Sequence, residues 1–183
     1  VIPSSAEKLR LNAEMTDGRI VEGESQIPHA HGKIKRVFTT PEHPRAIQSA
    51  VDAIREADAI VLGPGSLYTS IMPNLCVPDI VQAVRTSKAP KIYICNVMTQ
   101  PGETDDYTVS DHIRAINRQA GGKVIDFVIA NNGDVDPAVL QRYVAHGSHP
   151  VMIDKKEVSQ TGATLILSNL INKENSATHD TKK

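Results

Sequence analysis

The stretch AIVLGPGSLYTSIMPN, Ala59 to Asn74, is a short apolar run that breaks at once into glycine, proline and hydroxyl residues. An uninterrupted apolar run of this length, closed by Gly63 and Pro64, marks a strand covered on both faces, as in a parallel sheet. Beyond it, Gly63 and Gly65 leave backbone N–H groups accessible while Ser66, Thr69 and Ser70 add hydroxyls, the ingredients of an anion nest. A helical turn over Leu67 to Met72 would aim a partial positive charge at the same point, suiting a phosphate or diphosphate without any lysine. Neither a Walker A nor a complete GxGxxG motif is present. A plain strand-to-helix turn accounts for the glycines equally well; the three hydroxyl residues tilt the reading toward a phosphate loop.

On either side of this loop, short β-branched runs alternate with longer helical patterns. IKRVFTT leads to a helix near Pro44 to Ala57, then AIVLG, a helix near Pro78 to Ser87, and KIYICNV. Thr108 to Ala120 reads as a helix with Thr108 and Asp111 approximating a capping box and Gly121-Gly122 as its stop. DFVIANN is the next strand, and Asp136 to His146 a further helix closed by Gly147. The pattern predicts an α/β fold: a three-layer Rossmann-like domain with a mostly parallel sheet, residues 1–183 forming one domain. In such a sheet the loops GPGSLYTS, NVMTQPGETDD and NNGDVD all fall at the carboxyl ends of strands, where ligands collect.

The N-terminal part differs. RLNAEMTDGRIVEGESQIP alternates polar and apolar residues around Asp17-Gly18, a hairpin signal, so residues 9–38 are expected to form a β-ribbon. NKENSATHDTKK is polar and aperiodic, and 172–183 are expected to be a flexible tail. A parallel sheet with no glycine fingerprint near the start of the sequence suggests that further strands, and a nucleotide-loop segment, lie outside it.

Composition narrows the function classes. The 183 residues carry 20 basic and 21 acidic side chains, a formal charge of −1, so no broad cationic surface is expected to attract nucleic acid or anionic membrane. Six aromatic residues are too few for a base-stacking platform, although the four tyrosines remain available for small-molecule contacts. Cys76 and Cys95 have no CxxC neighbour and read as buried, reduced thiols. No apolar run approaches a membrane span and the first residues lack a signal pattern, which makes the cytoplasm the expected location.

A second polar cluster, Asn96 to Asp106, follows the strand KIYICNV with amides, hydroxyls, a Pro-Gly turn and three carboxylates. Glu103, Asp105 and Asp106, with Asp111 nearby, could supply oxygen ligands to Mg²⁺ beside phosphate, or simply form a solvated loop that caps the next helix. His112 is a candidate general acid or base, with a surface histidine as the plainer reading. Tyr143 offers a flat amphipathic ring to a base or sugar. With no GxSxG or HExxH motif, ligand binding is better supported than covalent chemistry, and no catalytic residue is assigned.

GPGSLYTSIMPNLCVPDI, KIYICNVMTQPGETDDYTVSDHIRAI and LNAEMTDGRIVEGESQIP together resemble the bacterial gluconeogenesis factor (CofD-like) family, related in fold to 2-phospho-L-lactate transferase. The resemblance spans nearly the whole chain. It implies a cytoplasmic, Rossmann-like regulatory protein that binds UDP-sugars, notably UDP-N-acetylglucosamine, and supports cell shape and wall synthesis on gluconeogenic carbon. The alternative it leaves is a transferase-like enzyme moving a phosphoester group from a nucleotide donor with Mg²⁺. Carried over by motif, Gly63, Gly65, Ser66, Thr69 and Ser70 line the phosphate side; Asn96, Thr99, Gly102, Glu103, Thr104 and Tyr143 border the cleft. The partners it implies are a nucleotide sugar, further copies of the chain and cell-wall regulatory proteins. Members carry a Gly-Gly-Thr-Gly loop in an earlier segment, and an arginine in a terminal Arg-His-Asp-Thr run where this chain has Thr178; Thr181 matches a phosphorylated position.

Overall fold

A computed structural model describes residues 1–172 and 176–179. Its centre is a parallel sheet of β4 (Ile60–Leu62), β5 (Lys91–Ile94), β6 (Phe127–Asn131) and β7 (Thr164–Ser168), lying side by side in chain order. The connections carry α2 (Pro78–Thr86), α3 (Val109–Gln119), then α4 (Pro137–Ala145) and α5 (Lys155–Gln160). Right-handed crossovers that always step in the same direction put their helices on the same side of a sheet. The burial pattern agrees: Leu62, Tyr93, Val128 and Ala130 point into the core, with Ile60, Leu165 and Leu167 packed against it. The alternate positions, Val61, Ile92, Ile94, Phe127, Ile129 and Ile166, join neither apolar cluster of the described residues. The expected α/β parallel sheet is present, and among the described residues helices pack against one of its faces.

Preceding this sheet, β1 (Arg10–Met15), β2 (Ile20–Glu22) and β3 (Ile34–Thr40) form a separate antiparallel sheet in the order β2-β1-β3. Asp17 and Gly18 sit at the β1–β2 turn, where Gly18 adopts a φ of 89° and Arg19 Nε bonds the Asp17 carboxylate at 2.7 Å. IKRVFTT therefore extends the ribbon rather than opening the run of parallel strands. Its inward residues Ile34 and Val37 are buried, and Gln119 Nε2 at the end of α3 donates to the Val37 carbonyl at 3.1 Å. That contact ties ribbon to sheet domain. Between β2 and β3 the chain makes a short 3-10 segment, Glu24–His29, whose Ile27 is fully buried.

Helix starts follow local chemistry. Thr108 and Asp111 close a full capping box on α3, and Asp136 caps α4 by accepting from Ala138 N and Val139 N; each such cap is worth about 1 kcal/mol. Two elements, α5 and β7, were not expected from the sequence. Both are short, and TLILS begins and ends in hydroxyl residues that blur its apolar signal. Within the expected tail, β8 (Ile171–Asn172) pairs antiparallel with β9 (Ser176–His179), while Asp180, Thr181 and the last residues lie outside the described part. No helix among the described residues is long and apolar enough to cross a membrane.

Candidate functional site

The carboxyl ends of β4 and β5 open on a cleft of about 1030 Å³, of the size that small-molecule sites occupy. One wall is the β4 loop, with Gly65, Ser66 and Thr69; the floor is the β5 loop from Asn96 to Pro101, with Glu103. Tyr143, His146 and Ser148 close the side supplied by α4 and its exit, and Glu24, Ser25 and Pro28 reach in from the ribbon. None of these lining residues is a lysine or arginine. An anionic ligand would be met by amides, hydroxyls and backbone N–H groups.

A hydrogen-bonded series links the two loops. Asn96 Nδ2 donates to Gln100 Oε1 at 3.3 Å and Gln100 Nε2 to Ser66 Oγ at 2.7 Å. Gln100 is held in turn by Thr104, whose Oγ1 accepts from Gln100 N at 2.9 Å. Deeper, the Glu103 carboxylate accepts from Tyr68 N at 3.2 Å and from Thr69 Oγ1 at 3.0 Å. Burial pushes the Glu103 pKa up, against the lowering effect of those hydrogen bonds. The turn from Leu67 to Ile71 is helical, as expected, but two of its polar groups already bind a carboxylate of the chain itself. Ser66 Oγ and the backbone around Gly65 remain on the cleft side.

A family profile described as 2-phospho-L-lactate transferase CofD matches residues 1–171, nearly the whole described chain. The chain belongs to the CofD family. Among its CofD-family relatives, the gluconeogenesis factor of Bacillus subtilis is 45% identical over 184 residues, covering 100% of this chain and 58% of that protein. The gluconeogenesis factor of Halalkalibacterium halodurans is 46% identical over 166 residues, 91% of this chain and 52% of that one. A crystal structure of a UPF0052-family protein from Bacillus halodurans superposes with a TM-score of 0.95 at 43% identity, covering 98% of this chain and 58% of the other. The chain thus spans little more than half the length of these relatives.

In this CofD-family chain, seven of the expected residues share the cleft: Gly65, Ser66, Thr69, Asn96, Thr99, Glu103 and Tyr143. Gly63 and Ser70 face the opposite way, into an apolar groove between β4 and the helices α1 (Gln48–Glu56) and α2. Thr104 is fully buried behind Gln100. Gly102 is a packing position: at φ 80°, a Cβ there would stand 1.8 Å from the Pro28 carbonyl oxygen. Asp105 Oδ2 accepts from Gly102 N at 2.8 Å, closing the loop on itself. Among the described residues, no three His, Cys, Asp or Glu side chains stand close enough to hold a metal ion.

Sequence reasoning missed Gln100, His146 and Ser148. Gln100 lay inside the polar cluster but was one amide among several; only the fold shows that it bridges to Ser66. His112 is not on the surface. It is fully buried between Tyr93 and Tyr107, Nδ1 bonded to the Thr108 carbonyl at 2.8 Å and Nε2 without a hydrogen-bond partner, and burial lowers its pKa. Tyr68 and Tyr93 are likewise core residues rather than ligand contacts, with Tyr68 Oη and Tyr107 Oη 2.6 Å apart. Cys95 is buried, and burial raises its thiol pKa to about 12, as it does for Cys76. Both thiols are free and stay protonated.

Proposed function

We propose that this chain is the ligand-binding part of a regulatory gluconeogenesis factor and that its cleft takes a UDP-sugar, UDP-N-acetylglucosamine in particular. One observation carries the reading: a glycine-hydroxyl loop, an amide-rich strand end and Tyr143 converge on a single cleft of small-molecule size. The diphosphate lies along Gly65, Ser66 and Gln100, and the base or sugar stacks on Tyr143, whose other side packs with Val97, Met98 and Ile171. In the cell, such a sensor links nucleotide-sugar supply to wall synthesis and cell shape on gluconeogenic carbon, working in the cytoplasm with copies of itself and wall regulators. Titration calorimetry of UDP-N-acetylglucosamine into the longest polypeptide the gene encodes tests it. Binding that Ser66→Ala and Tyr143→Ala each weaken about tenfold supports the reading; flat heats at millimolar ligand with folded protein overturn it.

The name of the family profile favours a second reading, transfer of a phosphoester group from a nucleotide donor. Of the carboxylates in the second loop, Glu103 is engaged by Tyr68 N and Thr69 Oγ1 and Asp105 by Gly102 N, so a Mg²⁺ in this reading would be held largely by the phosphate oxygens of the donor. Release of GMP from a guanylated phospholactate in the presence of a deazaflavin acceptor would establish the transferase, and its absence leaves the sensor.

A further inference from the structure

Where the ribbon meets α3, a notch of about 270 Å³ gathers positive charge. Lys35 and Arg36 of β3 supply one wall and Arg118 of α3 the other, and no Asp or Glu lines it. Adjacent strand residues normally point to opposite faces. Here the register passes from the pair Glu14–Arg36 to the pair Met15–Ile34, so Lys35 is the extra residue of a β-bulge, a device that re-aims side chains. Both cations therefore reach one carboxylate, with Lys35 Nζ and Arg36 Nε each 2.6 Å from a Glu14 oxygen. Arg118 forms no ion pair among the described residues. Three cations thus stand against a single acid in a chain whose formal charge is −1.

Beneath the charges the floor is apolar, formed by the buried Tyr68 and Met72. Ala115, on the same face of α3 as Arg118 and Gln119, is too small to fill the space above them. The two walls are fixed relative to each other, because Gln119 Nε2 donates to the Val37 carbonyl at 3.1 Å. We propose that this notch is a second ligand site, separate from the cleft, and that it takes a small phosphomonoester. Arg36 and Arg118 receive the phosphoryl oxygens, for which the planar guanidinium fork is suited, and the carbon skeleton lies on Tyr68 and Met72. The cations repel metal ions. The volume, at the small end of ligand pockets, suits a phosphorylated small molecule rather than a stretch of acidic peptide. Tyr68 belongs to the same loop as Ser66 and Thr69, and its N–H is held by Glu103, so an occupant of the notch rests on the back of the loop that walls the cleft.

Titration calorimetry of glycerol 3-phosphate into the longest polypeptide the gene encodes decides it, with glycerol as the probe that lacks the phosphoryl group. Saturable binding of the first and none of the second is expected. Arg118→Gln weakens that binding at least about tenfold, the loss of one charged hydrogen-bond donor pair. Arg118→Lys, which keeps the charge without the fork, falls between variant and parent. Arg118 is exposed and unpaired among the described residues, so both variants melt at the parent's temperature, and either one alone gives the answer if the other misfolds. Ser66→Ala, which alters the cleft, leaves the affinity for glycerol 3-phosphate as in the parent. Flat heats at about 10 mM probe with folded protein overturn the inference. So does binding that Arg118→Gln leaves unchanged, and a loss confined to Ser66→Ala, which would put the probe in the cleft.

Discussion

The loops that end β4 and β5 lie against each other yet are made on opposite plans. Gly63 to Ser70 has no charged residue and works through backbone and hydroxyls; Asn96 to Asp106 carries three carboxylates and the amides of Asn96 and Gln100. The first loop depends on the second for its shape, because Glu103 holds Tyr68 N and Thr69 Oγ1 while Gln100 holds Ser66 Oγ. The lesson is that a glycine-hydroxyl loop is a ligand site only to the extent that its neighbour leaves its donors free. Here one side is left to the cleft and the other is taken.

The sharpest way to break the pairing is at Gly102. Gly102→Ala puts a Cβ on the Pro28 carbonyl oxygen at 1.8 Å and demands a side chain at φ 80°, so loop and ribbon cannot both stay in place. The expected loss is about 3 kcal/mol or more, read from urea denaturation. Gly63→Ala, in the other loop, meets a milder obstacle, since its φ is 93° but the nearest atom, Ile94 O, is 3.0 Å away. About 1–2 kcal/mol is expected there. If Gly63→Ala proves the costlier of the two, the dependence of the β4 loop on the β5 loop is misassigned.

These two positions also show what sequence could reveal. The strand-loop-helix reading of Ala59 to Asn74 anticipated β4, its turn and the cleft, because glycine, proline and hydroxyl residues act locally. The Thr108–Asp111 cap and the Asp17-Gly18 hairpin were legible for the same reason. What stayed hidden depends on contacts distant in sequence: Gly102 against Pro28, Gln100 against Ser66, and His112 enclosed by Tyr93 and Tyr107. Polarity placed His112 on the surface, yet it lies on the face of α3 that carries the buried Val109, Ile113 and Ile116. Continuous apolar strands announce two covers, and the described residues provide one of them.

Glu103 tests the pairing through pH. Burial raises its folded pKa above the ordinary 4.5, so the native state favours the protonated acid. The stabilisation from proton uptake is complete below the ordinary value and is lost as pH rises through the raised one. Glu103→Gln keeps an oxygen acceptor for Tyr68 N without a charge. Denaturation midpoints of the variant and parent should therefore differ in the variant's favour at neutral pH, with the gap closing as pH falls toward 4.5. A gap constant across that range would mean that the carboxylate is not held in the buried, hydrogen-bonded position between Tyr68 and Thr69.

The smallest expected effect lies at Ser66, where stability and binding separate. Its Oγ accepts from Gln100 at a half-buried position, so Ser66→Ala should cost only about 0.5–1 kcal/mol of stability. Gln100 then keeps Asn96 as a partner and can turn its freed amide toward water. A ligand diphosphate loses a hydroxyl contact and also faces a Gln100 no longer aimed at it, so affinity for UDP-N-acetylglucosamine should fall by more than the stability does. Calorimetry beside urea denaturation on the same preparation separates the two. A stability loss that matches or exceeds the loss in binding energy would make Ser66 a structural link between the loops and remove it from the site.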